Sequence, residues 1–271
     1  MKDIEFIDLS PRIATEIRVS QETLLSGRRA QEIRAQLEQR GVVVFKQIHL
    51  DDEQQVAFAG TLGEIIPQGN KGIYKVTLDK KENDRADYLR GAFYWHIDGT
   101  TDDVPTRASL LNARRLSPTG GQTEFANTYA AFDDLPESEK KAISKLKIVH
   151  HVETIQRKIY DAPTPEQEAS WKRYPPKAHP LVWNHQSGRK SLVLGSTSSH
   201  VEGMDPEAGR RLIEELTAWA TQPQFVYQHQ WTLGDLLIWD NTGTMHRVVP
   251  YPLDSGRMMH RTTLVAEEAL V

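Results

Sequence analysis

Cysteine is absent from the 271 residues, which excludes disulfides, thiolate metal ligands and cysteine nucleophiles. No apolar run approaches the roughly 18–20 residues that a membrane-spanning helix needs. The opening stretch, MKDIEFIDLSPRIATEIRV, holds no signal-peptide core, so the expectation is a cytoplasmic protein with no membrane partner. Positive charge is not in excess. Lys and Arg number 33 against 37 Asp and Glu, a formal net charge of −4. A general nucleic-acid binder shows a basic face, so no nucleic-acid partner is expected. No glycine-rich loop follows a strand-like run, and the phosphate-binding fingerprint of nucleotide folds is therefore missing. Neither an internal repeat nor a low-complexity tract is visible.

What is present is enough for a core: 38 % hydrophobic residues and six Trp, each able to bury a large area. Residues 4–8 read as a strand. Ala30, Ile33 and Leu37 fall at helical spacing within a helix expected over 22–40, with Gly41 placed to cap it. Val42-Val43-Val44-Phe45 reads as a buried strand. Asp51 is placed to cap a second helix whose Val56, Ala59 and Leu62 turn inward, ending at Gly63. Further strands are expected over 74–78, 92–97, 107–113, 123–127, 191–194, 225–229, 235–239 and 262–266, with a turn at Thr119-Gly120-Gly121. Helices are expected after Leu135-Pro136 and from Asp205-Pro206, the latter with an apolar stripe of Leu212, Ile213, Leu216 and Trp219. Two segments stand apart. Residues 67–91 read as mobile loop around one short strand. Residues 152–180, with five prolines, read as a long surface excursion, either a lid or an inert insertion. Both are lid candidates. Many short strands with few helices give a mainly β chain with peripheral helices, a barrel or two-sheet jelly roll, expected as one domain over 1–271.

Chemistry concentrates in two places. In Tyr94-Trp95-His96-Ile97-Asp98, the His and Asp stand at i and i+2, and on one strand they would share a face. In Leu236-Leu237-Ile238-Trp239-Asp240-Asn241-Thr242-Gly243-Thr244-Met245-His246, an apolar strand runs into a polar turn and then a histidine. Two imidazoles and one carboxylate make the facial triad of non-haem Fe(II) enzymes. The same ligands also suit zinc, so a zinc-dependent hydrolase and a non-catalytic metal-bearing binding protein stay open at this point. Arg257 follows eleven residues after His246, and Arg261 four after that. A guanidinium beside a metal suits a dicarboxylate cosubstrate, because its fork binds a carboxylate bidentately. His260, between them, should face the other side of its strand. His150-His151 cannot share a metal on one strand face, and His179, His185, His200 and His229 show no partner pattern.

Taken together, His96-Ile97-Asp98, Thr119-Gly120-Gly121-Gln122-Thr123, Trp239-Asp240-Asn241, His246 and Arg257-Met258-Met259-His260-Arg261 resemble the taurine/dichlorophenoxyacetate dioxygenase family of Fe(II)- and 2-oxoglutarate-dependent oxygenases. The resemblance runs from the VVVF strand to the C-terminus. It implies a double-stranded β-helix (jelly-roll) core, Fe(II) held by His96, Asp98 and His246, and 2-oxoglutarate whose distal carboxylate meets Thr123 and Arg257. It further implies O2 consumption, release of succinate and CO2, and assembly as a dimer or tetramer. Arg261 matches the position where family members often hold the acidic group of the substrate. Halogenating relatives replace the carboxylate ligand with a small residue. Asp98 is present, so hydroxylation, or cleavage that follows it, is expected.

A small anionic organic substrate follows from Arg261. Family members that take taurine present a polar set just before the H-x-D motif. Here those positions read Gly91-Ala92-Phe93-Tyr94, which argues for a larger or more apolar substrate body. Phe93, with Asn70, Ile73 and Tyr74 from the loop, are candidate wall residues. The substrate classes that remain are an aryloxyalkanoate, an alkyl sulfate or sulfonate, and an N-substituted amino acid.

Overall fold

The apolar runs VVVF and LLIWD become adjacent antiparallel strands, Val42–Phe45 and Leu236–Asp240, at the middle of a seven-stranded sheet. The computed structural model describes residues 3–102 and 106–270. The strands of this sheet lie in the order Ile4–Asp8, Thr15–Val19, Val42–Phe45, Leu236–Asp240, Thr106–Arg115, Met258–Val265 and Tyr74–Val76. Every pairing is antiparallel except that of Thr15–Val19 with Val42–Phe45.

The central runs are apolar without alternation because both faces are covered. Val43, Phe45, Leu110, Leu236 and Ile238 pack against Ile33, Leu37, Phe58 and Leu62 of two helices. On the opposite face Val42, Val44, Leu237, Trp239 and Met259 meet Phe125 of a second sheet. That sheet has three antiparallel strands, Val226–His229, Thr123–Asn127 and Thr244–Val248. Each fully buried Val, Leu or Phe contributes roughly 1.5–3 kcal/mol of hydrophobic stabilisation.

Capping sets the helix ends. Asp51 accepts from the Gln54 backbone at 2.8 Å while the Gln54 side chain accepts from Asp51 N at 3.0 Å, a reciprocal box that starts Asp52–Leu62. Gln55 and Phe58 join Ala59 and Leu62 inside, and Val56 is only half-buried. The helix expected over 22–40 is two, Gln21–Leu25 and Ala30–Arg40; Gly41 closes the second at φ +72°, a left-handed turn that glycine makes without strain. Asp205 caps Pro206–Ala220. Its Leu216 is buried, and Leu212, Ile213 and Trp219 pack at the edge of a third apolar cluster.

Two expectations are corrected. Residues 92–97 do not form a strand. Tyr88–Phe93 is a 3-10 helix, and only one isolated bridge, His96 with His246, follows it. Residues 152–180 are not an irregular excursion. They fold into helices Val152–Ile159 and Pro165–Trp171 and the strand Lys177–Pro180, which pairs with Lys147–His150. The prolines mark ends: Pro165 sits in the first turn of a helix capped by Thr164, where no backbone N–H is required. Among the described residues, no helix is long and apolar enough to cross a membrane.

Candidate active site

His246 lies on Thr244–Val248, opposite Phe125. Its backbone exchanges two hydrogen bonds with that of His96, at 2.8 and 3.0 Å, which sets the imidazoles side by side with ring centroids 4.1 Å apart. Across the 94–97 segment, Ser196 N donates to Trp95 O at 2.7 Å. Asp98 is fixed by its main chain: buried Asn241 accepts from Asp98 N at 3.0 Å and donates to Asp98 O at 2.7 Å and to Thr106 O at 3.1 Å. Backbone clamps thus do what a shared strand face was expected to do.

The three side chains converge. His96 Nε2 is 3.6 Å from Asp98 Oδ1 and His246 Nε2 is 3.8 Å from Asp98 Oδ2. These separations are too long for hydrogen bonds. Donors that share one ion at about 2.0–2.2 Å stand about this far apart. The Tyr94 carbonyl lies 2.9 Å from His96 Nδ1 and can only accept, so Nδ1 carries the proton and the Nε2 lone pair is free. His246 packs against Trp239, with centroids 4.6 Å apart, and its burial together with nearby His96 pushes its pKa well down, so it is neutral and ready to ligate. Burial alone would raise the Asp98 pKa; Arg261, His246 and His96 outweigh it and keep the carboxyl below the usual range. Two imidazoles with an ionised carboxylate make the donor set that Fe(II) takes in oxygenases.

A cavity of about 520 Å³ opens on these three residues. Its wall includes Thr123, Arg257, Arg261 and Tyr74. Arg257 is 3 % exposed, donates to Gly121 O at 3.1 Å and lies over the Tyr251 ring. Among the described residues no carboxylate lies within ion-pair distance of it, and burial lowers its pKa. A buried cation without an anion is costly, and an anionic ligand offsets that cost. Gly121 sits at φ +79°, and a Cβ there would come within 3.0 Å of Arg257 Nε, so the turn must be glycine for the guanidinium to lie where it does. Thr123 Oγ1 lies 2.9 Å from the Trp231 indole N–H, which can only donate; the hydroxyl therefore accepts there and keeps its own proton for the cavity. Arg261 pairs across strands with Tyr74, lies over its ring, and donates to Asp98 Oδ2 at 3.2 Å. His260 turns away to Asp52, 2.7 Å from its carboxylate, as strand alternation requires.

Of the expected wall residues only Tyr74 lines the cavity; Asn70, Ile73 and Phe93 do not. Asn70 is used in a tight turn, where it exchanges backbone hydrogen bonds with Ile73. Phe93 packs edge-on against Tyr251, behind the wall. Four other histidines are buried on structural partners: His150 meets Thr197, His179 the Thr100 carbonyl, His185 Ser191 and Glu268, and His229 Asp235.

The geometry has close counterparts. Residues 5–263 match the model of the family described as "Taurine catabolism dioxygenase TauD, TfdA family". The chain belongs to this family. It is 36 % identical to the alpha-ketoglutarate-dependent 2,4-dichlorophenoxyacetate dioxygenase of Burkholderia sp. (strain RASC), over 88 % of this chain and 86 % of that one. It is 30 % identical to the alkylsulfatase of Acinetobacter baylyi (strain ATCC 33305 / BD413 / ADP1), over 98 % of this chain and 86 % of that one. The solved structure of AAD-2 in complex with Mn(II) and N-oxalylglycine superposes with a TM-score of 0.86 at 33 % identity and covers 99 % of both chains. The protein is an Fe(II)- and 2-oxoglutarate-dependent dioxygenase. A zinc hydrolase, open on the ligand set alone, would leave Thr123 and Arg257 without use, and the dioxygenase relatives leave a non-catalytic binding protein without support.

Sequence reasoning missed the clamp by Asn241, although that residue stands in the Trp239-Asp240-Asn241 pattern. It also missed Gln156, Ser196 and Thr197 on the cavity wall. No motif marks these three, because their position depends on how 152–180 and 193–198 fold back.

Proposed function

We propose that this enzyme hydroxylates an aryloxyalkanoate on the carbon that bears the ether oxygen, after which the product collapses to a carbonyl and releases the phenol. A single domain with a double-stranded β-helix (jelly-roll) core carries the site. The packing of Trp239 from one sheet against Phe125 from the other, rings tilted with centroids 5.7 Å apart, supports this architecture. His96, Asp98 and His246 hold the iron, Thr123 and Arg257 the distal carboxylate of 2-oxoglutarate, and Arg261 the substrate carboxylate. Iron and 2-oxoglutarate together supply the oxidation by O2, with succinate and CO2 as co-products. The chain's residues supply placement. Arg257 and Thr123 give the cosubstrate a charged and a neutral donor, and Arg261 fixes one end of the substrate. Segments 67–91 and 152–180 are the lids. Tyr74 and Tyr88 from the first, and Ile155 and Gln156 from the second, line the cavity and exclude water from it.

The observation that carries the reading is the buried, unpaired Arg257 on the same cavity as the His-Asp-His cluster. The aryloxyalkanoate is preferred to the other anions because Arg261 lies over the Tyr74 ring and the cavity they share also takes Val76, Tyr88, Leu89 and Ile155 into its wall. The test is succinate release with Fe(II), ascorbate and 2-oxoglutarate against phenoxyacetates, alkyl sulfates and N-substituted amino acids. Stimulation by phenoxyacetates supports the proposal. Stimulation by another class alone overturns the substrate assignment, and no stimulation by any anion overturns the role of Arg261.

A further inference from the structure

The Val152–Ile159 helix brings one polar side chain to the cavity wall, Gln156. The residue is 3 % exposed, and its Nε2 is buried without a hydrogen-bond partner. Leaving a buried amide donor unmade costs roughly 1–3 kcal/mol. Several other polar side chains of this wall meet protein partners: Thr123 accepts from Trp231, half-buried Thr197 lies between His150 and Thr100, and Arg257 holds Gly121 O. Other buried wall nitrogens without a partner are His246 Nδ1, Trp239 Nε1 and Arg261 Nε, all among the groups packed around the metal ligands. Gln156 lies outside that group, on a helix held against the 3-10 turn that leads into His96; a Cβ at Gly91 would lie 3.3 Å from Ile155 Cγ1. The helix thus brings the carboxamide to the cavity wall with its Nε2 meeting no protein acceptor among the described residues.

The geometry points to Gln156 as a specificity-determining residue that donates a hydrogen bond to a second acceptor on the substrate, separate from the anion that Arg261 takes. The favoured substrate then carries an oxygen acceptor on its ring, such as a nitro or carbonyl oxygen, beyond the ether that every aryloxyalkanoate shares. This inference rests on the aryloxyalkanoate reading for its probes but not for its logic. A site built to donate rejects an analogue without the acceptor, because the buried N–H is again left unpaired.

The test compares phenoxyacetates bearing nitro groups at the meta or para position with their methyl counterparts, in the wild type and in Gln156→Leu. The wild type should favour one nitro acid in kcat/KM, and Gln156→Leu should erase about tenfold of that preference, the size of one neutral hydrogen bond. Titration of the same acids into metal-free protein should show the same loss in Kd ratio. The 2-oxoglutarate KM should stay within about twofold, and the melting temperature of the free protein should not fall, since Leu removes an unpaired polar group. A purely structural Gln156 would behave oppositely, with a lower melting temperature and an unchanged nitro-to-methyl ratio, and that result overturns the assignment. An equal loss for both acids also overturns it, since it places the amide on the carboxylate or ether that both acids share. If Gln156→Leu does not fold, Gln156→Met is judged by the same ratios. A wild type that turns over neither acid overturns the aryloxyalkanoate reading; the ratio test then passes to acceptor-bearing and acceptor-free members of whichever class yields succinate, with the same outcomes deciding.

Discussion

Asn241 holds Asp98 through the main chain on both sides, accepting from its N–H at 3.0 Å and donating to its carbonyl at 2.7 Å. The carboxylate itself is left to face the two imidazoles and Arg261. The tail of the strand Leu236–Asp240 is thereby tied to a segment far away in sequence that has no regular structure of its own. Asn241→Ala removes three hydrogen bonds and leaves buried backbone groups unmatched. Metal affinity should fall about 10–100-fold, the usual cost of losing a group that orients a ligand. Titration with Fe(II) or Mn(II) measures it, and unchanged affinity would show that Asp98 is held by other means.

His96→Ala should abolish tight metal binding and turnover together. The variant removes one of three donors from a cluster whose members already lie within 4.8 Å of one another. Because the bonds that join position 96 to His246 are made by the backbone, the fold should survive, which circular dichroism can verify. Retained metal binding at the wild-type level would take this residue out of the centre.

Arg257→Met tests the cosubstrate end of the cavity. The 2-oxoglutarate KM should rise at least about 30-fold, the low end of what a lost buried charge contact costs. In the free protein the same change should leave stability unchanged or higher, because an unpaired buried cation is removed. An unaltered KM would refute the assignment. Gly121→Ala should act in the same direction by pushing on the guanidinium, with an added cost of about 1 kcal/mol for the left-handed backbone.

Much of this was legible in the sequence, and the reasons are local. The VVVF and LLIWD runs announce strands buried on both faces, and Asp51 and Gln54 announce a helix start, because burial and capping act over a few residues. The ligand pattern at 96, 98 and 246 is likewise readable from residue type. What was not readable depends on distant partners. His96 and Asp98 sit in a non-regular segment whose shape comes from His246, Ser196 and Asn241. Polar, proline-bearing 152–180 reads as loop because its helices are short and owe their stability to packing, with Ile155, Gln156 and Trp171 buried.

His150 gives a pH dependence. Burial, with His179 close by, pushes its pKa down to about 3, against an ordinary value of 6.5. Above pH 6.5 it is neutral in the folded and unfolded states and contributes no slope. Below 6.5 the unfolded chain takes up a proton that the folded protein refuses, so stability falls as pH drops, by up to about 1.4 kcal/mol per unit, until about pH 3. Urea midpoints of the wild type and His150→Asn between pH 7 and 4 should differ by this one-proton slope. Parallel profiles would mean that His150 titrates normally in the folded protein.

Arg261 separates substrate from cosubstrate. Its guanidinium lies over Tyr74 and reaches Asp98 with one nitrogen, while its Nε has no partner. It therefore retains donor capacity that the protein does not use, at a position lining the cavity. Arg257, by contrast, is anchored deeper, on Gly121 and Tyr251. Arg261→Ala should cut kcat/KM for the anionic substrate by about 30-fold or more, while the 2-oxoglutarate KM moves only a few-fold. It should also loosen coupling, so that 2-oxoglutarate is consumed without matching product, because a substrate held at one end only is poorly placed. Steady-state kinetics with both ligands varied, alongside the ratio of succinate to hydroxylated product, reads out each effect. The opposite pattern, with the cosubstrate KM rising and the substrate KM unchanged, would exchange the roles of the two arginines.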